Sequence, residues 1–459
     1  MHEYDILVIG SGNGAHIVNR ALAEGLSVGW ADRGPFGGTC MNVGCVPSKM
    51  LTTAADRVQE IEEASRFGID AAVRGVDFDA VMGRMRTAVE RRREAFAERY
   101  RSRQGLDVYR GEARFVGERT VEVDGERARG ERVFIVCGAR PAAPPVEGLD
   151  TVDFLTNETL LELRELPPSM LVMGGGYIGV EYAHFLSAMG TDVTIVERGD
   201  RLVSAEEEAV SEVLESRLSE RMTVMTGTAV TSVRRDGDEY VVVCENRSDR
   251  RTTELRAAGL LVAAGRRSNA DTLDVEKAGI TTDDKGYIDV NGSLRTSAVG
   301  VWAFGDVIGR GMFTHVANRE VDVAWQNSTH ESSSVEMSYD AVPHAVFSWP
   351  QIGSVGLTER QARDEGREPV VATVRYADVT KGEAVMEETG FAKAVISAKT
   401  GEILGFHIIG RSAPVLIQEV VNIMARRSDA SEVARAMHAF PTLPELVART
   451  LKAADERRR

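Results

Sequence analysis

At 459 residues the chain exceeds what one hydrophobic core usually serves, so two or three domains are expected. Apolar residues make up 43%, as in an ordinary globular protein, and a formal net charge of −15 argues against nucleic acid or an anionic membrane surface as the main partner, since both require basic surface. Lysine occurs only at positions 49, 277, 285, 381, 393, 399 and 452, and this arginine bias with acidic excess fits a salt-adapted host or a GC-rich genome.

The first element is the apolar strand Tyr4-Asp5-Ile6-Leu7-Val8-Ile9, which follows Met1 at once without a signal peptide. No apolar span is long enough for a membrane, so a cytoplasmic protein is expected. Gly10-Ser11-Gly12-Asn13-Gly14-Ala15 follows directly, with Ala15 filling the third position of the dinucleotide fingerprint. Such glycines let backbone amides approach a pyrophosphate at the helix N-terminus. Asp32 ends the next strand, where a carboxylate can accept from a ribose hydroxyl.

Gly37 to Lys49 then brings Cys40 and Cys45 close together. Two thiols at this spacing can close a small disulfide ring, reopen on receiving two electrons, and exchange with a second disulfide. A structural disulfide would suit a secreted chain. A zinc site would want more Cys or His at ligand spacing, but Cys137 and Cys244 are isolated in apolar strand-like runs, so no metal site is expected.

Residues Phe78 to Arg103, rich in Arg, Glu, Ala and Met, predict an exposed helix with a solvated arginine face. The strand, glycine turn and helix of Ile6 to Arg20 return at Leu171 to Met189, where Gly174, Gly176 and Gly179 predict a second dinucleotide unit. Glu197 ends that unit's second strand; a carboxylate there favours NAD, whereas Arg198 and Arg201 favour a 2′-phosphate. Gly305-Asp306 follows the strand Gly300 to Phe304. From about Ala341 the pattern becomes strands at Gly390 to Ser397 and Leu404 to Ile409 with a helix at Ala413 to Met424, an α+β cap. The expected fold is α/β, with two Rossmann-like dinucleotide-binding domains plus an α+β dimerisation domain.

These motifs, in this order and over essentially the whole chain, resemble the pyridine nucleotide-disulfide oxidoreductases, the group of glutathione reductase, dihydrolipoyl dehydrogenase, mycothione reductase and mercuric reductase. The resemblance implies an NAD(P)H-dependent flavoprotein disulfide reductase acting as a homodimer, with FAD and NADPH as cofactors and NADH possible. It implies an FAD-binding domain at 1–148 and 270–337, an NAD(P)-binding domain at 149–269 and a dimerisation domain at 338–459. Gly10, Gly12, Gly14, Ala15, Asp32, Gly38, Thr39, Lys49, Gly138, Gly265, Gly305, Asp306 and Ala317 would serve cofactor binding, together with Gly174, Gly176, Tyr177, Gly179, Glu197 and Arg198. Tyr177 matches the family's aromatic gate over the flavin. Lys49 and Glu181 match its cation–carboxylate pair, in which a buried cation favours reduced flavin and the carboxylate keeps the lysine ionised. Arg198 matches a phosphate-gripping arginine, but a second such arginine is Ser204 here, and NADPH is the expected donor. Cys45 would stand against the flavin as a thiolate, and Cys40 would be the exchange nucleophile.

The family's acid is a histidine before a proline, supplied by the partner subunit and oriented by a nearby glutamate. Here the stretch reads Met437-His438-Ala439-Phe440-Pro441-Thr442-Leu443-Pro444-Glu445, with Phe440 in the histidine position. Phenylalanine cannot transfer a proton, so His438 substitutes, solvent does, or thiol turnover is impaired. Mercuric reductases also carry an aromatic residue there, but they add a C-terminal cysteine pair, whereas this sequence closes on Ala453 to Arg459 without one. Thr314-His315-Val316-Ala317-Asn318 and Pro441 to Val447 look more like mycothione reductase and its relatives, and a salt-adapted host would make bis-γ-glutamylcystine the matching disulfide. Dihydrolipoyl dehydrogenase, mercuric reductase and a non-catalytic flavoprotein scaffold are the alternatives. The intact Cys40, Cys45, Lys49 and Glu181 set argues against the scaffold.

Overall fold

The computed structural model describes residues 1–329 and 334–459. Residues 330–333, inside the 270–337 segment expected for the FAD domain, lie outside the described residues. The chain divides into two compact units, Met1–Met50 with Met82–Ala142 and Gly265–Ser338, and Leu51–Val81 with Ala143–Ala264 and Tyr339–Arg459.

The first unit is built on the strand His2–Ile9, in which Ile6, Leu7 and Val8 are fully buried. A strand apolar on both faces belongs in the middle of a parallel sheet. It pairs in parallel with Val28–Asp32 on one side and Glu126–Ile135 on the other. Leu106–Arg110 extends the sheet beyond Val28–Asp32, and Val301–Ala303 pairs with the end of Glu126–Ile135. Parallel neighbours need crossovers, here the helices Gly14–Ala23 and Phe78–Tyr100. The latter stops three residues short of the expected Arg103, where Arg101 and Ser102 form a turn. Thr120–Val123 and Ala113–Gly117 continue the sheet as an antiparallel meander.

The second unit contains a four-stranded parallel sheet, ordered Thr223–Met225, Asp192–Val196, Ser169–Met173 and Gly259–Val262. The helix Tyr177–Met189 follows the third of these. A three-stranded antiparallel sheet, Thr228–Asp236, Glu239–Asn246 and Thr252–Ala257, follows it in the chain. After Tyr339 the unit forms a five-stranded antiparallel sheet with Ile403–Ile409 at its centre, all seven residues buried. The helices Ala413–Met424 and Pro444–Arg458 pack on it. Pro444 sits at the start of its helix, Glu445 in the first turn, and Arg457 and Arg458 in the last, as proline's missing N–H and the helix dipole favour. Residues 51–81 group with the second unit, although the sequence reading placed them in the FAD segment; the helix Cys45–Glu62 spans the division. Among the described residues no helix is long and apolar enough to cross a membrane.

Candidate active site

The two glycine turns are built alike. Gly10 and Gly174 have φ of 109° and 113°, which L-residues with side chains rarely adopt. A Cβ on either would fall 2.3 Å from Val136 O or 2.5 Å from Ala263 O, so each turn is pressed onto the neighbouring strand's exit. Asp32 accepts from the amides of Ser11 (2.5 Å) and Gly34 (2.6 Å). Glu197, immediately after Asp192–Val196, accepts from Gly175 (2.5 Å) and Gly199 (2.5 Å). Each carboxylate thus ties its glycine turn to the loop after the second strand.

The redox segment packs directly on the first turn. Gly38 touches Gly12 backbone to backbone: a Cβ on Gly38 would lie 2.5 Å from Gly12 Cα, and the Gly37 amide donates to Ser11 Oγ at 2.8 Å. Gly38, Thr39 and Cys40 lie on the short helix Gly38–Asn42, and Cys45 opens the helix Cys45–Glu62, with Lys49 one turn further along. The Asn42 amide nitrogen donates to Pro35 O, Phe36 O and Gly38 O, fixing the loop before the cysteines.

Cys40 and Cys45 are free thiols, the dithiol form of the expected pair. The hydrogen bond from Cys40 holds Cys45 down to about 6 against the opposing effect of burial, helped by Thr314 and the charge of Lys49. The same bond and burial push Cys40 well above the ordinary thiol range. The thiolate therefore belongs to Cys45. Thr314, whose Oγ1 stands 3.8 Å from Cys45 Sγ, begins the helix Thr314–Thr329. Burial raises Cys137 to about 12 and Cys244 to about 11.

On the same helix, Ala317 lies against Gly305, whose amide donates to the fully buried Glu320 at 2.7 Å. Asp306, raised by burial and opposed by Arg266 at 3.5 Å, follows in the same turn. Gly265 O accepts from Ala142 N, and Gly138 O from Asn269 N. Thr314 enters the sequence reading only as the first residue of a family-like motif, and Glu320 and Asn269 carry no local signal; their polar atoms gain meaning only through contacts with residues distant in the chain.

In the second unit Glu181 is buried and accepts from Phe347 N at 3.1 Å. Lys49 belongs to the first unit and donates to Ser48 Oγ at 3.3 Å. Tyr177 donates to Glu206 Oε1 at 2.7 Å. Arg198 is exposed; Arg201 lies 3.6 Å from Glu208.

The C-terminal acid stretch departs from the arrangement the resemblance implies. His438 Nε2 lies 2.8 Å from Glu419 Oε1, and its Nδ1 lies 3.1 Å from Ala436 O. Glu445 Oε1 accepts from Arg449 at 2.6 Å, and its buried Oε2 has no hydrogen-bond partner among the described residues. Glu419, not Glu445, thus holds the histidine here. Among the described residues no cluster of three His, Cys, Asp or Glu side chains is placed to hold a metal ion.

Residues 4–320 match the family Pyridine nucleotide-disulphide oxidoreductase, and residues 342–451 match that family's dimerisation domain. Mycothione reductase of Mycobacterium tuberculosis is 36% identical over 462 residues, covering 98% of this chain and 99% of the relative. Mercuric reductase of Streptomyces lividans is 35% identical over 453 residues, covering 96% and 94%. The HOCl-induced flavoprotein disulfide reductase RclA from Escherichia coli, solved as a Cu(II) complex, superposes with a TM-score of 0.88 at 26% identity, covering 99% of this chain and all of that one. The chain belongs to the pyridine nucleotide-disulfide oxidoreductases. It is an NAD(P)H-dependent flavoprotein disulfide reductase of a family that uses FAD and carries a dimerisation domain. The two glycine turns, each latched by a carboxylate and opening a helix, fit two dinucleotides.

Proposed function

We propose that the protein reduces a low-molecular-weight disulfide of the mycothione or bis-γ-glutamylcystine type, using FAD and NADPH, as a cytoplasmic homodimer. The observation that carries this reading is the Cys40–Cys45 pair, with its proton on Cys40 and its charge on Cys45, in a loop pressed against a nucleotide turn. FAD, when bound, supplies the passage of two electrons from the nicotinamide nucleotide to the cysteine pair. Gly10, Gly12, Gly14, Ala15, Asp32, Gly38, Thr39, Gly138, Gly265, Gly305, Asp306 and Ala317 hold it, and the residues around Gly174, Gly176 and Gly179 hold NADPH. Lys49, whose charge helps hold Cys45 as a thiolate, favours the electron-rich state of the redox segment, and Glu181 and Tyr177 belong to the nicotinamide-nucleotide turn and its helix.

In the exchange half, Cys40 passes its proton to His438 and attacks one sulfur of the substrate. A Cys40–substrate disulfide forms, the substrate's own S–S bond breaks, and the departing thiolate takes a proton. Cys45 then attacks Cys40 as the thiolate, closing the Cys40–Cys45 disulfide and releasing the second half as a thiolate that takes a proton from solvent. His438 delivers the first proton after exchanging its contact with Glu419 or Ala436 for one with substrate. NADPH is preferred because exposed Arg198 can grip a 2′-phosphate.

A second reading, metal-ion reduction, is favoured by Phe440 and by the likeness to a mercuric reductase. A turnover panel of mycothione, bis-γ-glutamylcystine, glutathione disulfide, lipoamide and mercuric ion, each with NADPH and NADH, separates the readings. Turnover of mercuric ion alone would overturn the disulfide assignment.

A further inference from the structure

Glu206 is a buried carboxylate that the exchange chemistry above does not use. It is 2% exposed and lies just before the helix Glu208–Ser219. Its Oε1 accepts from Tyr177 Oη at 2.7 Å, and its Oε2 accepts from Ser354 Oγ at 2.6 Å. His344 Nε2 approaches Oε1 to 2.8 Å, and the His344 ring stacks on Tyr177, with centroids 5.9 Å apart and planes 17° from parallel. Burial would push this carboxyl up, but the contacts with His344, Ser354 and Tyr177 outweigh it and hold Glu206 below the ordinary carboxylate range. An ionised carboxylate at this depth is costly where an apolar side chain would pack without penalty, so its partners define what it does.

Tyr177 opens the helix Tyr177–Met189 immediately after Gly174 to Gly176. A dinucleotide whose pyrophosphate docks on that turn would lie beside this ring, which stands at the helix N-terminus. We propose that Glu206 positions Tyr177 as a latch, holding the ring across the nicotinamide's path through a charge-assisted hydrogen bond from the tyrosine hydroxyl. When the ring is displaced, Ser354 and His344 remain on the carboxylate, so opening gives up the Tyr177 hydrogen bond and its stacking on His344 without stranding a buried charge. The cost falls on the nicotinamide end alone. The adenosine end, bound by the glycine turn, Glu197 and Arg198, does not displace Tyr177. This inference rests on the proposed nicotinamide site and deepens it.

Calorimetric titration of the FAD-loaded protein with NADP+ and NAD+, each compared with the same nucleotide lacking the nicotinamide ring, tests the latch without turnover. Tyr177→Phe removes only the donated hydrogen bond and should tighten the complete dinucleotides about 10-fold while leaving both fragments within about 2-fold of wild type. Glu206→Gln should act in the same direction, and the double variant should show less than the summed effect, because both changes remove one interaction. Equal changes for dinucleotide and fragment, or none in Tyr177→Phe, would overturn the latch while the nucleotide site stands. Failure of wild type to bind either fragment would overturn the site assignment itself, and the latch with it.

Discussion

Cys40 and Cys45 are the same residue type a few positions apart, yet their surroundings drive them in opposite directions. The Cys40 thiol donates to Cys45, and Thr314 and Lys49 add to the stabilisation of charge on Cys45. A thiol depressed to about 6 is ionised above that pH and protonated below it, so alkylation of the reduced protein should rise through pH 6 and level off by neutrality, with the label on Cys45. Cys137 and Cys244, raised to about 12 and about 11, should stay unlabelled at pH 7. Peptide mapping of alkylated protein checks this; a midpoint in the ordinary thiol range near pH 8.5 would contradict the assigned charge. The proton donor is tested by two further substitutions. His438→Ala should slow disulfide turnover roughly 10²–10⁴-fold, the usual contribution of a positioned acid, while sparing reduction of the flavin. Phe440→His would restore a histidine to a stretch where Glu445 Oε2 is buried without a hydrogen-bond partner among the described residues, and should raise turnover. A silent His438→Ala with a faster Phe440→His would make His438 a structural brace on Glu419.

The strand–turn–helix units repeat one construction, and their glycines are exacting in the same way. Gly174→Ala would place a methyl group 2.5 Å from Ala263 O at a φ of 113°, and should cost about 1–3 kcal/mol locally. Its expected outcome is loss of nicotinamide nucleotide binding with flavin retained, read from absorbance and calorimetry. Cofactor choice belongs to the loop after the next strand. Arg198→Ala should weaken NADPH far more than NADH in steady-state KM, because only NADPH offers the 2′-phosphate; equal losses would return the choice to Glu197 and NADH.

These local elements were legible in the sequence because each signal is contiguous. Glycine spacing, the apolar run before it and the acid that ends the next strand mark the turn, and the helix Ala413–Met424 appears with its expected limits. What the sequence could not show depends on long-range pairing. Glu206 and Ser354 meet across 148 positions only because strand Ile352–Gly356 folds back beside that loop. His438 finds Glu419, 19 positions earlier in the chain, through a contact that no local motif announces.

At the scale of the molecule, the C-terminal part exposes large apolar side chains: Val415 at 74%, Phe440 at 71% and Met437 at 101%. Solitary exposed apolar residues are ordinary, but two of them, Met437 and Phe440, within one short stretch suit a surface covered by a second copy. Sedimentation across a dilution series should show a dimer whose activity falls with dissociation; fully active monomers would contradict the homodimer. In the proposed reaction electrons pass through the Cys40–Cys45 pair, with Cys45 as the thiolate on the flavin side. Its most direct measurement is the visible spectrum of two FAD-loaded variants: Cys40→Ser should retain a long-wavelength thiolate–flavin band and lack disulfide turnover, whereas Cys45→Ser should lose the band. The reverse pattern, or no band in either variant, would contradict the account.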